Sequence, residues 1–424
     1  MKNILWSLLF IPCLASAQYD DYKVDALVTP KTRPDTITVG GEGADIRGFT
    51  GRAIQLAIDA LPARGGTVVM TPGTFLLKDA VHVRSDMTLT GAGDATVLKR
   101  APGYTSKMVI PADYAELKVT VEDASGFEPG MSLQVWDGKW SSCWDVSTAT
   151  ITDVDGNTVY FDHYLIRDYH LEDTGWVSNA GSGVLAKHVE NVVLSHFMVD
   201  GDKAHTPRTD GCNGGGIAIL YAKNVLVDHV HVKDFNGEGI TWQVTEDVTV
   251  QNCEVEGSAN IGMHPGTGSP RTRILNNESH HNAKDGLFIC WRVHHGVIKG
   301  NSFHDNGRYG ICTGHKDTDD LFEDNHIYNN GSDGVNLRPG PVYNAPHRVV
   351  FVNNVIENNG QNGGGYGFSL YGKAEGVVIR DNVIRDAGGK TQKAAVFVAK
   401  GFPPFTMEGN RISGHPEGKV VRGK

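Results

Sequence analysis

Asp247-Val-Thr-Val-Gln-Asn-Cys-Glu-Val-Glu-Gly-Ser-Ala-Asn-Ile-Gly-Met-His264 decides how the rest of the chain is read. Apolar and polar residues alternate here over short runs, the period of half-buried strands. Between the runs stand Gly and Asn, which tolerate the positive φ of tight bends. The phrase then returns. Gly216-Ile217, Gly239-Ile240, Gly262-Met263, Gly286-Leu287, Gly310-Ile311, Gly334-Val335 and Gly367-Phe368 follow one another at spacings of 23, 23, 24, 24, 24 and 33 residues. A second column, Asn277, Asn301, Asn325, Asn354, Asn382 and Asn410, keeps step with it, and Cys253 occupies the same column one repeat earlier. No run from 186 to 415 sustains a helical period. A period in the twenties, built of short strands and turns, predicts a solenoid in which each repeat is one coil. Stacked coils would set like residues about 4.8 Å apart, so buried asparagines can hand hydrogen bonds from coil to coil.

Leucine-rich repeats share this period but need a Leu-x-x-Leu-x-Leu core, which is missing. The apolar positions mix Val, Ile, Phe and Leu instead. This pattern resembles the right-handed parallel β-helix proteins of the pectate-lyase-like superfamily, and the resemblance covers most of the chain after its leader. It implies an all-β fold and leaves the reaction open among polysaccharide lyases, glycoside hydrolases and epimerases.

The ends and one interruption differ from the repeats. Met1-Lys2-Asn3, an apolar run from Ile4 to Leu14, and Ala15-Ser16-Ala17 describe a secretory signal peptide cleaved after Ala17, so residues 1–17 are set apart and export, secreted or periplasmic, is expected. Residues 18–107 are read as the N-terminal cap and first coils. Within them Thr50 to Leu61 places Ile54, Ile58 and Leu61 on one helical face with Thr50 able to cap it, as a solenoid's open end requires. From 108 to 184 the period is lost. Strictly alternating stretches such as Met131-Ser-Leu-Gln-Val-Trp-Asp137 predict a small antiparallel β insertion, with Trp136, Trp140, Trp144 and Tyr164 read as filling its core. Residues 185–424 hold the β-helix repeats.

Composition narrows the partners. The formal charge is −10 with both signs interspersed and no basic run, which argues against nucleic acid. No segment beyond the leader has the length of a membrane span. Five cysteines remain after cleavage (Cys143, Cys212, Cys253, Cys290 and Cys312), an odd and scattered set that does not read as a disulfide framework, although a Cys290–Cys312 bridge between adjacent coils stays open.

The chemistry is expected on the strand that follows each repeated Gly. With the first apolar residue inward, the second and fourth positions point to solvent. The second-position column is Thr241, His264, Phe288, Cys312, Asn336 and Ser369, and the fourth is Gln243, Gly266, Cys290, Gly314, Arg338 and Tyr371. Glu238, Asp285, Tyr309 and Asp333 precede glycines of the column, and Trp291, Arg292, His315 and Lys316 follow the strands. Aromatic rings beside Arg and His suit a sugar that carries an anionic group, with rings on the pyranose and a guanidinium on the anion. Glu238, Gln243, Phe288, Trp291, Arg292, Tyr309, His315, Asp333 and Asn336 are therefore expected to bind a polysaccharide or oligosaccharide. Ile261-Gly262-Met263-His264-Pro265-Gly266 is similar to the Tyr-Gly-x-Asp-Pro-His motif of β-helix alginate C5-epimerases. Only the Gly and the Pro match; Ile261, His264 and Gly266 replace the remaining groups and leave an imidazole where the family has Asp.

Three outcomes follow from these residues. An eliminating lyase needs a base for the C5 proton, expected to be His264 with Asp285 beside it, and Arg338 or Arg292 to neutralise the substrate carboxylate. A hydrolase would use a carboxylate pair two coils apart, Glu238 with Asp285 or Asp285 with Asp333, at about 9.6 Å by the strand spacing. A glycan-binding protein would use the same face without chemistry. Elimination on an acidic polysaccharide is the preferred reading. His280, His281, His294, His295, His304 and His326 are read as scattered in turns, which does not assemble zinc. Calcium at Asp285 and its neighbours is left open.

Overall fold

The computed structural model describes residues 35–139, 144–388 and 390–423. The leader, Trp140 and Cys143 lie outside them. The chain is an all-β right-handed parallel β-helix, with one α-helix among the described residues, ahead of most of the coils. The repeated-Gly strands form one eleven-stranded sheet that runs from Val81–His82 through Ile240–Gln243, Met263–Gly266 and Leu287–Phe288 to Val420–Arg422. Its register follows the sequence period: Ile240 pairs with Met263, Met263 with Leu287, Leu287 with Ile311, and Ile311 with Val335. Two further short strands complete each coil, such as Arg273–Leu275 and Glu278–His280, which pair in parallel with Val297–Lys299 and Ser302–His304.

The bend between those two strands carries the asparagine ladder. Asn301 donates from Nδ2 to Asn325 Oδ1 at 2.9 Å and to the Ile274 carbonyl at 2.8 Å, while its backbone N–H also reaches Asn325 Oδ1 at 3.0 Å. Asn325 repeats the pattern onto Asn354, and Asn382 ends it on Asn410. Each side-chain amide thus satisfies backbone groups that the bend would otherwise bury unpaired. Cys253 heads the column, its N–H donating to Asn277 Oδ1 at 2.9 Å. The residue just before each ladder position takes the left-handed conformation, as at Asn276 and Asp324, where Asn and Asp are the side chains that accept it most readily. A second ladder runs five residues further along each coil, Asn282 to Asn306 to Asn330 to Asn359, and closes on Gln392.

Inside, Ile298, Phe322, Ile327, Phe351 and Ile356 are fully buried, with the Phe322 and Phe351 rings stacked at 4.5 Å. The helix Gly51–Ala60 covers the first coils. Thr50 Oγ1 accepts from the Ala53 N–H at 3.2 Å as an N-cap, and Ile54, Ala57, Ile58 and Leu61 are buried. No helix among the described residues is long and apolar enough to cross a membrane.

Between Arg100 and Gly181 the chain leaves the coils and forms a six-stranded antiparallel sheet. Its core is aliphatic with Phe127, Phe161 and Tyr169, and includes neither Trp136 nor Trp144. Trp144 is 41 % and Tyr164 67 % exposed, because the alternation of the flanking strands turns Val119, Leu133, Val135 and Ile151 inward instead. Three further sequence expectations are corrected. His280 and His304 lie on strands, not in turns, and stack at 4.8 Å with an interplanar angle of 7°. Cys290 and Cys312 are both free. Cys212 is disulfide-bonded despite the scattered spacing of the cysteines.

Candidate functional site

The outward face of the eleven-stranded sheet carries a cleft of about 670 Å³. From the expected residues it gathers Glu238, His264, Phe288, Tyr309, Asn336 and Arg338. Arg208, Asp210, Asn260, Lys284, Arg308 and Tyr371 join them. Tyr371 stood in the fourth column; Asn260, Lys284 and Arg308 form a column of their own two positions before the repeated Gly, and Arg208 and Asp210 lie on a connection outside the repeat.

Arg208 and Asp210 come from the connection ahead of Gly216, and the β insertion braces it. Gln134, on an insertion strand, donates to the Arg208 carbonyl at 3.1 Å and accepts from the Asp210 N–H at 2.9 Å. One wall of the cleft therefore depends on the interruption of the repeat.

The floor is an ion pair. His264 Nδ1 donates to Glu238 Oε2 at 2.6 Å, and Glu238 Oε1 accepts from Asn260 Nδ2 at 3.2 Å. His264 points outward from the coil as expected, yet it is only 3 % exposed, because Glu238, Gln243 and Phe288 close around it. Burial alone would push the imidazole below its ordinary pKa. The Glu238 carboxylate and Cys290 outweigh burial and raise it to about 10, so it is an imidazolium at neutral pH. Its Nε2 is buried without a partner. An imidazolium carries a proton on both nitrogens and has no lone pair for a substrate proton, which argues against the expectation that His264 is itself the base.

Asp285 is not beside His264 as a partner. Its carboxylate is fully buried and takes two hydrogen bonds from Arg308, the Nε one at 2.7 Å, and one from the Tyr309 N–H at 3.2 Å. Asp285 thereby fixes Arg308 and the tyrosine next to it, and it offers no place for calcium. Asp333 is likewise engaged, by Ser369 Oγ at 2.6 Å and the Tyr366 N–H at 2.9 Å, and does not line the cleft. Gln243 is buried beneath His264 rather than open to a ligand. Trp291 and Arg292 are exposed beyond the cleft, and His315 tilts against Trp291 at 5.0 Å. Burial and the nearby Arg338 lower the His315 pKa to about 4.

Arg338 is held rather than free. It folds back over Gly314, lies 4.2 Å above the Phe288 ring, and donates to the carbonyls of Ile289 and Gly314. A side chain on Gly314 would collide with it, since an added Cβ would lie 2.8 Å from Arg338 Cβ. Asp317, whose carboxyl is raised to about 7 by burial although Arg338 pulls the other way, lies 3.7 Å from the guanidinium. Tyr309, raised to about 12 by burial with Asp333 nearby, is a neutral phenol.

Away from the cleft, His231, Glu254 and Glu256 bring three ligand atoms within 4.8 Å of one another, the one such metal-competent set among the described residues. Asp94 lies 3.3 Å from His231 Nδ1, where it would orient the ring.

Comparison with known proteins bears on the scaffold. Residues 272–412 match the family described as right handed beta helix region, and residues 166–337 match the periplasmic copper-binding protein (NosD) family. No curated protein matches the chain by sequence. Among solved structures, the A-module of the mannuronan C-5 epimerase AlgE6 of Azotobacter vinelandii superposes with a TM-score of 0.54 at 17 % identity, over 88 % of this chain and 93 % of that one. PfbA, a surface adhesin of Streptococcus pneumoniae, gives 0.56 at 16 % identity over 91 % of each chain. At these identities the likeness is one of fold.

Proposed function

We propose that this chain, built on the right-handed β-helix of pectate-lyase-like proteins, binds an acidic, uronic-acid-containing polysaccharide in the cleft and cleaves it by β-elimination. Local charge carries the reading. The chain is net −10, yet the cleft is lined by Arg208, Lys284, Arg308, Arg338 and the His264 imidazolium against Asp210 and Glu238, with Asp285 buried behind Arg308 and Asp317 behind Arg338. Such a surface attracts a polyanion against the sign of the molecule as a whole.

Elimination needs the C5–H acidified, removed and compensated at the leaving oxygen. Lys284 and Arg338 face the substrate carboxylate and stabilise the charge that spreads onto it as the proton leaves. Glu238 takes that proton, with His264 as a positioning cation behind it. The C5 electron pair forms the C4=C5 double bond, the C4–O bond breaks, and Tyr309, protonated throughout the physiological range, donates to the departing oxygen. The rings of Phe288, Tyr309 and Tyr371 supply surfaces for sugar faces. The similarity to a mannuronan C-5 epimerase supports a uronate ligand, since epimerisation also begins at the C5 proton. An exported location agrees with the leader pattern and with the match to a periplasmic family.

Hydrolysis is the second reading and loses support from geometry, because Asp285 and Asp333 are bound by other groups outside the cleft. Binding without cleavage draws on the adhesin likeness. Incubation with a panel of uronate polymers separates them. Elimination yields the ultraviolet absorbance of an unsaturated uronate. New reducing ends without that absorbance would overturn it in favour of hydrolysis, and saturable binding with neither would leave a lectin.

A further inference from the structure

Among the described residues three cysteines are free, and two of them are inert by burial. Cys253 is pushed up to about 12, and Cys312 is pushed up strongly as well. Cys290 differs. It is half-buried, and the neighbours before and after it in its column are Gly266 and Gly314, which bring no side chain of their own against it. The space those glycines leave is entered from one side by Gln243 and from the other by Arg338, since an added Cβ at Gly266 would lie 2.4 Å from Gln243 Oε1. Arg338 Nη1 comes to 3.8 Å from the Cys290 sulfur, and His315 Nδ1 to 3.7 Å.

The buried His264 ring, whose Nε2 has no hydrogen-bond partner, closes the arrangement. It interacts with Cys290 while its Nδ1 is fixed on Glu238. A half-buried sulfur flanked by a guanidinium and an imidazole is accessible to an electrophilic reagent in a way that the two enclosed cysteines are not. Cys212 is already disulfide-bonded, so the chain reaches its folded state where disulfides form.

We propose that Cys290 is a modification site that captures small organic disulfides, forming a mixed disulfide next to His264. The Cys290 sulfur attacks one sulfur of the reagent, a new S–S bond forms as the old one breaks, and the thiolate leaving group takes a proton from water. The proton of Cys290 goes to solvent. A reducing thiol restores the site by the reverse exchange. The effect on polymer cleavage rests on the function proposed above; the labelling does not.

The test uses cystamine on the folded full chain with time-resolved mass mapping. Cys290 is expected to be modified at least about tenfold faster than Cys253 and Cys312. His264→Asn and Arg338→Lys should each slow that rate. Cys253 and Cys312 act as internal references in the same molecule, so the comparison survives if a variant folds poorly. Equal rates at the three cysteines, or no adduct on Cys290 in the folded protein, would overturn the proposal. If Cys290 is modified selectively while no uronate polymer is cleaved by the unmodified chain, the function fails and the site stands. If cleavage is present, cystamine should suppress it in the wild type and not alter whatever activity Cys290→Ser retains.

Discussion

The bend ladder and the cleft are both stacked columns with a period near 24 residues, and they obey opposite rules. In the ladder, Asn277, Asn301, Asn325, Asn354, Asn382 and Asn410 repeat one residue because each amide bonds to a copy of itself on the next coil. On the strands that carry the cleft, Thr241, His264, Phe288, Cys312, Asn336 and Ser369 stand one per coil and never repeat. A bond to an identical neighbour can be copied along the coil. A reacting site needs different groups a few ångströms apart, so its column must vary. Repetition marks the scaffold, and its loss marks the chemistry.

The largest effect should come from the varied column. Glu238→Gln keeps the shape of the side chain and removes the proton acceptor, so turnover on the true uronate polymer should fall by about 10²–10⁴-fold. The melting temperature should also drop, because His264 loses its only carboxylate partner in the cleft floor. Wild-type turnover in a folded Glu238→Gln protein would remove Glu238 from the mechanism. His264→Asn should lose less, and the double variant should lose little more than Glu238→Gln alone, as expected when one residue acts through the other.

The repeated column should fail in stability instead. Asn325→Leu removes the acceptor of the Asn301 N–H and the donor to the Ile298 carbonyl, both inside the coil. An unsatisfied buried group costs about 1–3 kcal/mol, so urea unfolding should shift by a few kcal/mol while cleavage per folded molecule stays the same. An unchanged midpoint would mean that the amide ladder does not hold the bend.

These two columns also mark how far the sequence could be read. The glycine and asparagine periods located the coils, the register and the face that carries the cleft. The second ladder was equally present as Asn282, Asn306, Asn330 and Asn359, a constant five residues after the first, and a search for further periods would have found it. The partners were less accessible. Pattern places Asp285 and Glu238 in one column with equal claims on His264; only side-chain direction gives Asp285 to Arg308 and Glu238 to the imidazole. Arg208 has no periodic address, because it sits on a connection braced by the insertion, whereas Asn260, Lys284 and Arg308 stand 24 residues apart, two positions before the repeated Gly, in a column that a reading of the strands alone passes over. Outward direction was also mistaken for exposure, since His264 points away from the core and is covered by its neighbours.

The buried pair predicts a pH dependence. The His264 pKa is raised in the folded chain, so its stabilisation is complete below about pH 6.5, the unfolded value, and is lost as pH rises through about 10. Asp317 is raised to about 7 by burial, and its contribution has already decayed between about pH 4 and 7. Above neutrality, then, the His264–Glu238 pair should make wild-type stability fall more steeply than that of Glu238→Gln. Parallel urea midpoints for the two proteins from pH 7 to 10 would show that the pair does not hold the proton.

The smallest effect is the most specific to the ligand. Lys284 is exposed at the cleft and carries a charge that the scaffold does not use, unlike Arg308 and Arg338, whose loss would also release Asp285 or the Ile289 carbonyl. Lys284→Ala should therefore leave the melting temperature within error, since surface substitutions away from such structural bonds change stability little. If the cation meets a substrate carboxylate, KM on a uronate polymer should rise by about tenfold, the order of one charge-assisted hydrogen bond, while a carboxyl-reduced form of the same polymer gives the same KM with both proteins. The difference should shrink in high salt, because an exposed ion pair is screened. An equal rise on the acidic and the reduced polymer would assign Lys284 to the shape of the cleft and not to the charge of the sugar.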